Sequence, residues 1–221
     1  MKQKSLANPE VYISKNTIYD EFAKAEDHQK KIEKFLLPKL KNKIVLDLGC
    51  GTGRFSKIFA PASKKYFALD ISEKQLKLAK RNTKNIKKIT FIESTAEKVP
   101  LPDHSVDVVF SSWVISVIQG RRNKKRVLKE IKRVLSKNGR VFIIENDSKG
   151  EFERIRGHIK RTENGNIWLK KQGFKMKRIK IYFKFKDFET AKEVIRSFYG
   201  KAISNKLRSN KIEHNIIVFT N

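Results

Sequence analysis

The sequence predicts an α/β fold: a doubly wound, mostly parallel sheet with helices on both faces. Three observations predict it. Short apolar runs and helical stretches alternate along most of the chain. The first run, KIVLDL (43–48), is apolar without polar alternation, as a strand buried on both faces requires. The chain has 221 residues, of which 39% are hydrophobic, enough to fill one core of ordinary domain size.

The elements follow in order. Residues 1–16 are polar and unpatterned, and are expected to form a loose arm. From Ile18 to Leu37 apolar residues recur at helical spacing, and Pro38 is expected to end or kink that helix. KIVLDL is the first strand. RFSKIFAPA is a helix stopped near Pro61, and YFALD (66–70) is the second strand. SEKQLKLAKRN (72–82) opens on Ser72 as an N-cap and runs as a helix. KITFIES (88–94) is the third strand, VPLPDHS (99–105) a turn-rich loop, and VDVVFSSWV (106–114) the fourth strand. RNKKRVLKEIKRVLSKNG (122–139) is an amphipathic helix with Gly139 as its stop, and RVFIIE (140–145) is the fifth strand. A short helix over IWLKKQGF (167–174) and a half-exposed strand over KMKRIKIYFKF (175–185) follow. A helix over FETAKEVIRSFYG (188–200) and a closing strand, HNIIVFT (214–220), complete a count of seven strands. No repeat or low-complexity linker interrupts the chain. One domain is expected, with 1–43 as an N-terminal arm and cap helix ahead of 44–221.

The charge is lopsided, with 51 Lys and Arg against 23 Asp and Glu, net +28. Two readings stay open: a lysine-biased solvated surface, or a polyanionic partner such as nucleic acid or an anionic membrane. The single cysteine, Cys50, excludes an internal disulfide. The start, MKQKSLANPE, has no apolar core, and no run approaches the length of a membrane span, so a cytoplasmic protein is expected.

VLDLGCGTGRF (45–55) carries the chemistry. Gly49, Gly51 and Gly53 alternate directly behind the first strand, where an open parallel sheet binds its ligand. A phosphate loop would continue with Lys-Ser/Thr, but Gly53 is followed by Arg54-Phe55. A dinucleotide fingerprint would read G-x-G-x-x-G, but the spacing here is G-x-G-x-G. Two acids flank the turn. Asp70, ending the second strand, suits the hydroxyls of a ribose, and Asp47 suits the amino group of an amino-acid moiety. A cationic nucleoside joined to an amino acid satisfies both, which describes S-adenosylmethionine.

VLDLGCGTGRF, the LD at 69–70, STAEKVPLPDHSVDVVFSS (94–112) and LKEIKRVLSKNGRVFIIE (128–145) together resemble the class I S-adenosylmethionine-dependent methyltransferases. Within them the chain is similar to the quinone-biosynthesis-like, type 11 branch of mostly small-molecule enzymes. The resemblance covers about residues 44–146. It implies a Rossmann-like, seven-stranded sheet with the last strand antiparallel and a late helical insertion; from position alone, the first helix is expected to act as an N-terminal lid. It also implies S-adenosylmethionine as cofactor, with S-adenosylhomocysteine as product. By match, Gly49, Cys50, Gly51 and Gly53 form the cofactor turn and Asp47 holds the methionine end. Asp70 grips the ribose, Ile71 lies against the adenine, Ala96 and Glu97 lie near its edge, and Ser111 faces the methionine moiety through its backbone. Two positions depart from the pattern: Thr95 stands where relatives often carry Asp, and Ser116 where they often carry His.

Cys50 has two readings, nucleophile or small buried residue, and its place inside the turn favours the second. The end of the fourth strand, FSSW, lacks the Asn/Asp-Pro-Pro-aromatic motif of enzymes acting on exocyclic base amines. The four His have no metal spacing, so no metal is expected. Acceptor-side candidates are Glu145 and Asp147, at the carboxyl end of the fifth strand, and His28, on the first helix; surface or packing roles stand beside each. Arg121 and Arg122 precede their helix, where an acidic acceptor would meet them. Three functions follow: methyl transfer to a small molecule, methyl transfer to RNA or a nucleic-acid-associated protein, and a non-catalytic cofactor-binding module. Oligomeric state leaves no trace in the sequence.

Overall fold

The computed structural model describes residues 16–221, so the arm expected over 1–16 falls, but for its last residue, outside the described residues. Seven strands form one sheet. They are β1 (Ile44–Leu48), β2 (Lys65–Asp70), β3 (Ile89–Glu93), β4 (Val106–Ser112), β5 (Leu135–Asn146), β6 (Lys175–Lys184) and β7 (Lys211–Thr220), in the order β3-β2-β1-β4-β5-β7-β6. β1 pairs in parallel with β2 and β4, β2 with β3, and β4 with β5. β7 runs the other way. The Val141 N–H donates to Asn221 Oδ1, and six residues further along the chain, just past β5, the Asp147 N–H donates to the Asn215 carbonyl. Numbers rising on β5 thus meet numbers falling on β7. The strand order reverses between β1 and β4, which places a crevice at their carboxyl ends.

The chain divides into two compact units. The first holds Glu33–Glu145, Leu169–Lys177 and Val218–Asn221. Its β1 and β2 are buried along nearly their whole length by apolar side chains, as a sheet covered on both faces demands. Helices α3 (Arg54–Phe59), α4 (Glu73–Asn82) and α5 (Arg121–Val134) follow β1, β2 and β4. α4 begins as the sequence predicts, with the Gln75 N–H donating to Ser72 Oγ at 3.4 Å. α5 buries Val127, Leu128, Ile131 and Val134 on one face.

The second unit holds the residues through Ile32, Asn146–Trp168 and Arg178–Ile217. Its core is aromatic: Phe22 of α1 (Asn16–Ala25), Phe152, Phe183, Phe185 and Phe198 pack with Val194, Ile195, Leu207 and Ile212. Phe152 meets Phe183 edge-on with centroids 4.9 Å apart, a favoured ring geometry. A buried pair lies beside these rings, with His214 Nε2 2.9 Å from Glu26 Oε1.

Several expectations are corrected. The helix predicted across Ile18–Leu37 is two helices, α1 and α2 (Lys31–Leu40). Asp27 and Lys30 take positive φ between them, and the Asp27 carboxylate accepts the N–H groups of Lys31 and Ile32 at 2.8 and 2.6 Å. That carboxylate satisfies two donors left free at the start of α2, so the chain gains more by breaking there than by continuing. Pro38 lies inside the last turn of α2 instead of ending it. Gly139 does not stop α5, which ends at Val134 with β5 beginning at once. A Cβ on Gly139 would lie 2.6 Å from the Leu135 side chain and 3.0 Å from the Asp107 carbonyl, so this glycine permits both the local turn of the chain and a close strand-to-strand approach at the irregularity between Val106 and Val108. The late short helix starts earlier than expected: α7 runs Ile159–Lys171. Helices α6 (Glu151–Arg156), preceding it, and α9 (Lys201–Ser204), following α8 (Phe188–Tyr199), carry too little periodicity to be read.

Candidate cofactor site

β1 delivers its last residue, Leu48, to a tight turn, Gly49–Gly53, that feeds α3. The neighbouring strand holds the turn in place. The N–H groups of Gly49 and Cys50 both donate to the Leu69 carbonyl, at 2.8 and 2.9 Å. The Gly51 N–H donates to Asp70 Oδ2 at 2.8 Å, and the Ser72 N–H to Asp70 Oδ1 at 2.9 Å. Asp70 therefore ends β2, fixes the turn after β1 and starts the approach to α4.

The glycines answer to the protein as well as to any ligand. Gly49 has φ +79°, and a Cβ there would lie 2.3 Å from Val114 Cγ2. Gly53, also at +79°, would place one 3.0 Å from the Ala79 Cβ of α4. The segment after β4 and helix α4 can close on the turn only because these positions carry no side chain.

Asp47 lies beneath the turn, fully buried. Its Oδ2 accepts from Tyr66 Oη and from Ser56 Oγ, each at 2.8 Å. Burial pushes its carboxyl up to about 7, opposed by those two hydroxyls. The Tyr66 phenol is held well above its ordinary range by burial and by the charge of Asp47, so it stays a donor. Cys50 is buried in the same place, and burial together with Asp47 and Asp70 pushes its thiol up. A neutral, buried thiol is not a nucleophile, so the packing reading of Cys50 prevails.

The other residues expected at a cofactor site lie at or just beyond the carboxyl ends of β2, β3 and β4. Ile71, beside Asp70, is 69% exposed, an apolar surface open at the rim. Ala96 and Glu97 are half-buried in the turn that follows β3, whose approach is set by the Ser94 N–H donating to the Asp70 carbonyl at 3.1 Å. Ser111 is fully buried, and its hydroxyl donates to the Leu48 carbonyl at 3.0 Å, tying β4 to β1 at the reversal point. Trp113 follows with φ 55°, its N–H donating to the Ile144 carbonyl at 2.8 Å and its ring 6.2 Å from that of Phe55. A bulky residue at positive φ is uncommon outside sites that need it. Glu145 is buried at the end of β5 and accepts the Ser116 N–H at 2.9 Å, which anchors the segment carrying Trp113 and Val114. Burial pushes its carboxyl up to about 7 as well.

Asp147 and His28 belong to the other unit. Asp147 is buried and ion-paired with Arg178 at 2.9 Å. His28 does not lie on the first helix as expected; it is exposed in the break between α1 and α2, Nδ1 3.4 Å from the Tyr182 carbonyl. Arg121 and Arg122 do not precede their helix as expected; they are its exposed first residues, opening α5. Sequence reasoning missed Tyr66, Ser56 and Val114. Tyr66 had a signal, being the one hydroxyl in the apolar strand YFALD. Among the described residues no group of His, Cys, Asp and Glu could hold a metal, and no helix is long and apolar enough to cross a membrane.

The sequence and the fold have counterparts among known proteins. Residues 46–143 match a family model described as Methyltransferase domain. An uncharacterized protein, MJ1252, from Methanocaldococcus jannaschii is 31% identical over 212 residues, 85% of this chain and 79% of its own length. The chain belongs to the class I S-adenosylmethionine-dependent methyltransferases, type 11 branch. Other methyltransferases match more locally. The ubiquinone/menaquinone biosynthesis C-methyltransferase UbiE of Cronobacter sakazakii is 33% identical over 121 residues, 50% of this chain and 45% of its own length. Phosphoethanolamine N-methyltransferase 1 of Triticum aestivum is 33% identical over 113 residues, 50% of this chain and 22% of its own length. This methyltransferase chain thus spans less than half of those two named relatives. Its fold is shared with solved structures. The PH0226 protein of Pyrococcus horikoshii superposes with TM-score 0.61 over 95% of this chain and 94% of its own, at 18% identity. The N-methyltransferase NodS of Bradyrhizobium japonicum, in complex with S-adenosylhomocysteine, superposes with TM-score 0.57 over 95% and 90%, at 11% identity.

Proposed function

We propose that this methyltransferase passes the methyl group of S-adenosylmethionine to a small-molecule acceptor. One observation carries the reading of the site: a glycine turn pinned by Asp70 at its rim, with a second acid, Asp47, buried beneath it. The residues fit the cofactor. Each Asp70 oxygen accepts one backbone N–H and keeps lone-pair capacity for a ribose hydroxyl. Exposed Ile71 offers an apolar face to a base, with Ala96 and Glu97 at its edge. Asp47, the turn backbone and Ser111 receive the methionine end, where a carboxylate complements an ammonium.

When bound, the cofactor supplies a methyl already activated by its sulfonium. The chain's own residues have the narrower task of holding donor and acceptor in line and keeping water out. This accounts for a site without a nucleophile–base pair. Glu145 acts by shaping the segment after β4, through its bond to Ser116, and Asp147 is committed to Arg178. Small-molecule acceptors are favoured by the relatives, since the names of UbiE and of the wheat enzyme both denote small-molecule methylation.

A second reading, transfer to RNA or an RNA-bound protein, is favoured by the net charge of +28 and by an open hollow lined by Lys80, Arg81, Asn82 and Lys84. Incubation with methyl-labelled S-adenosylmethionine and a cell extract, followed by size separation, tests both. Label in the low-mass fraction supports the first reading. Label in RNA or protein overturns it in favour of the second, and no transfer to any fraction leaves a cofactor-binding module.

A further inference from the structure

Asp47 is isolated from water and accepts two side-chain hydroxyls on one oxygen: Tyr66 Oη from β2 and Ser56 Oγ from α3, both at 2.8 Å. All three side chains are buried. A buried hydroxyl bonded to a carboxylate is worth most when that carboxylate is charged. Neither hydroxyl is needed to fill space, since Phe and Ala would occupy nearly the same volume. Two polar atoms have been placed on one buried acid, and both favour the same state of it.

We infer that Tyr66 and Ser56 are positioning residues that hold Asp47 ionised and oriented for the amino end of S-adenosylmethionine. This rests on the reading that Asp47 receives that end. The opposing influences can be named. The groups facing Asp47 are Tyr66 and Asp70 from β2, Cys50 from the turn and Ser56 from α3. None is a cation. Burial and the charge of Asp70 drive Asp47 towards its neutral form, and only the two hydroxyls oppose them. The balance falls near neutrality, with the carboxyl at about 7. Cofactor affinity should therefore weaken as pH falls through that region, because the neutral carboxyl no longer complements an ammonium. The hydroxyls keep the weakening from beginning at higher pH.

Calorimetric titration of S-adenosylhomocysteine between pH 6 and 8.5 tests this on the full chain without turnover. The variants are Tyr66→Phe, Ser56→Ala and Asp47→Asn, with 5′-methylthioadenosine, which lacks the amino-acid end, as the control ligand. The ligand's own amino group titrates alike against every variant, so comparison between variants isolates the protein. Tyr66→Phe and Ser56→Ala should each bind about tenfold more weakly at pH 7, the loss of one hydrogen bond to a charge. Both should approach wild-type affinity at pH 8.5, and their affinity for the control ligand should be unchanged. Weakening by the same factor at every pH, or for both ligands alike, would reduce the hydroxyls to a packing role and overturn the inference. So would pH profiles that match wild type. If Asp47→Asn itself binds S-adenosylhomocysteine like wild type, the reading of Asp47 fails and the inference with it. If only Asp47→Asn loses binding, that reading stands and the inference alone is lost.

Discussion

The backbone N–H of Gly51 donates to Oδ2 of Asp70 at 2.8 Å. The acid that closes β2 therefore also sets the turn that closes β1, and a ligand on that turn rests on two strands at once. Asp70→Ala removes the anchor together with the acceptor proposed for ribose. Its affinity for S-adenosylhomocysteine should fall about 100-fold, as two bonds to a charged group are lost. Asp70→Asn keeps one acceptor oxygen and should fall about tenfold. Calorimetry gives both numbers, and an Asp70→Ala protein with wild-type affinity would remove Asp70 from the site.

Gly49→Ala and Gly120→Ala separate two costs. Both glycines have positive φ, +79° and +76°, but a Cβ on Gly120 would meet nothing within 4 Å, whereas one on Gly49 would meet Val114 at 2.3 Å. Gly120, at φ 76° and ψ 141°, should on substitution by Ala cost only backbone strain, about 1–3 kcal/mol. Gly49→Ala should cost clearly more, and Val114→Ala in the same chain should recover the excess. Denaturant unfolding of the four proteins measures this directly.

Glu145 makes stability depend on pH in a stated direction. Its carboxyl rises on folding from an ordinary 4.5 to about 7 through burial. The folded state then binds more protons than the unfolded state between those values, so stability falls as pH rises from about 4.5 to about 7. The full contribution is on the order of 3 kcal/mol. In Glu145→Gln that part of the slope should vanish, while the amide oxygen still accepts the Ser116 N–H. Melting curves from pH 4.5 to 8 that decline as steeply in the variant as in wild type would contradict this.

Asp147 is assigned to structure and not to chemistry. It is buried, and its partner Arg178 is 54% exposed, so solvent screens the pair in part. Arg178→Met should cost about 1–2 kcal/mol by leaving a buried charge uncompensated. Asp147→Asn should lower the melting temperature without changing the methyl-transfer rate per folded molecule. A large loss of rate at unchanged stability would return Asp147 to the list of catalytic groups.

Much of this was legible because burial writes itself into strands. KIVLDL and YFALD are apolar on both faces, and the sheet buries them on both. The turn was legible from three glycines at alternate positions with an acid on each side. What stayed hidden depended on specific side-chain bonds and close contacts, some local and some distant, that apolar periodicity does not report. Asp27 breaks a helix that periodicity would continue, because its carboxylate satisfies donors four and five residues ahead. Gly139 reads as a helix stop, yet a side chain there would meet Leu135 and, more than thirty positions earlier, the Asp107 carbonyl. Tyr66 reads as one more aromatic in a buried strand, and only the fold brings its hydroxyl to Asp47. His28 was placed on a helix for the same reason that the break at Asp27 went unseen.

The contact between Gly53 and Ala79 also bears on how this protein can evolve. With 3.0 Å between a Cβ at 53 and that of Ala79, neither site has slack to lend the other. Position 53 is already at the smallest residue there is, so drift at 79 has no compensating partner across the gap. Position 79, an unremarkable helix alanine with no hand in chemistry, should be as invariant through descent as the glycine facing it.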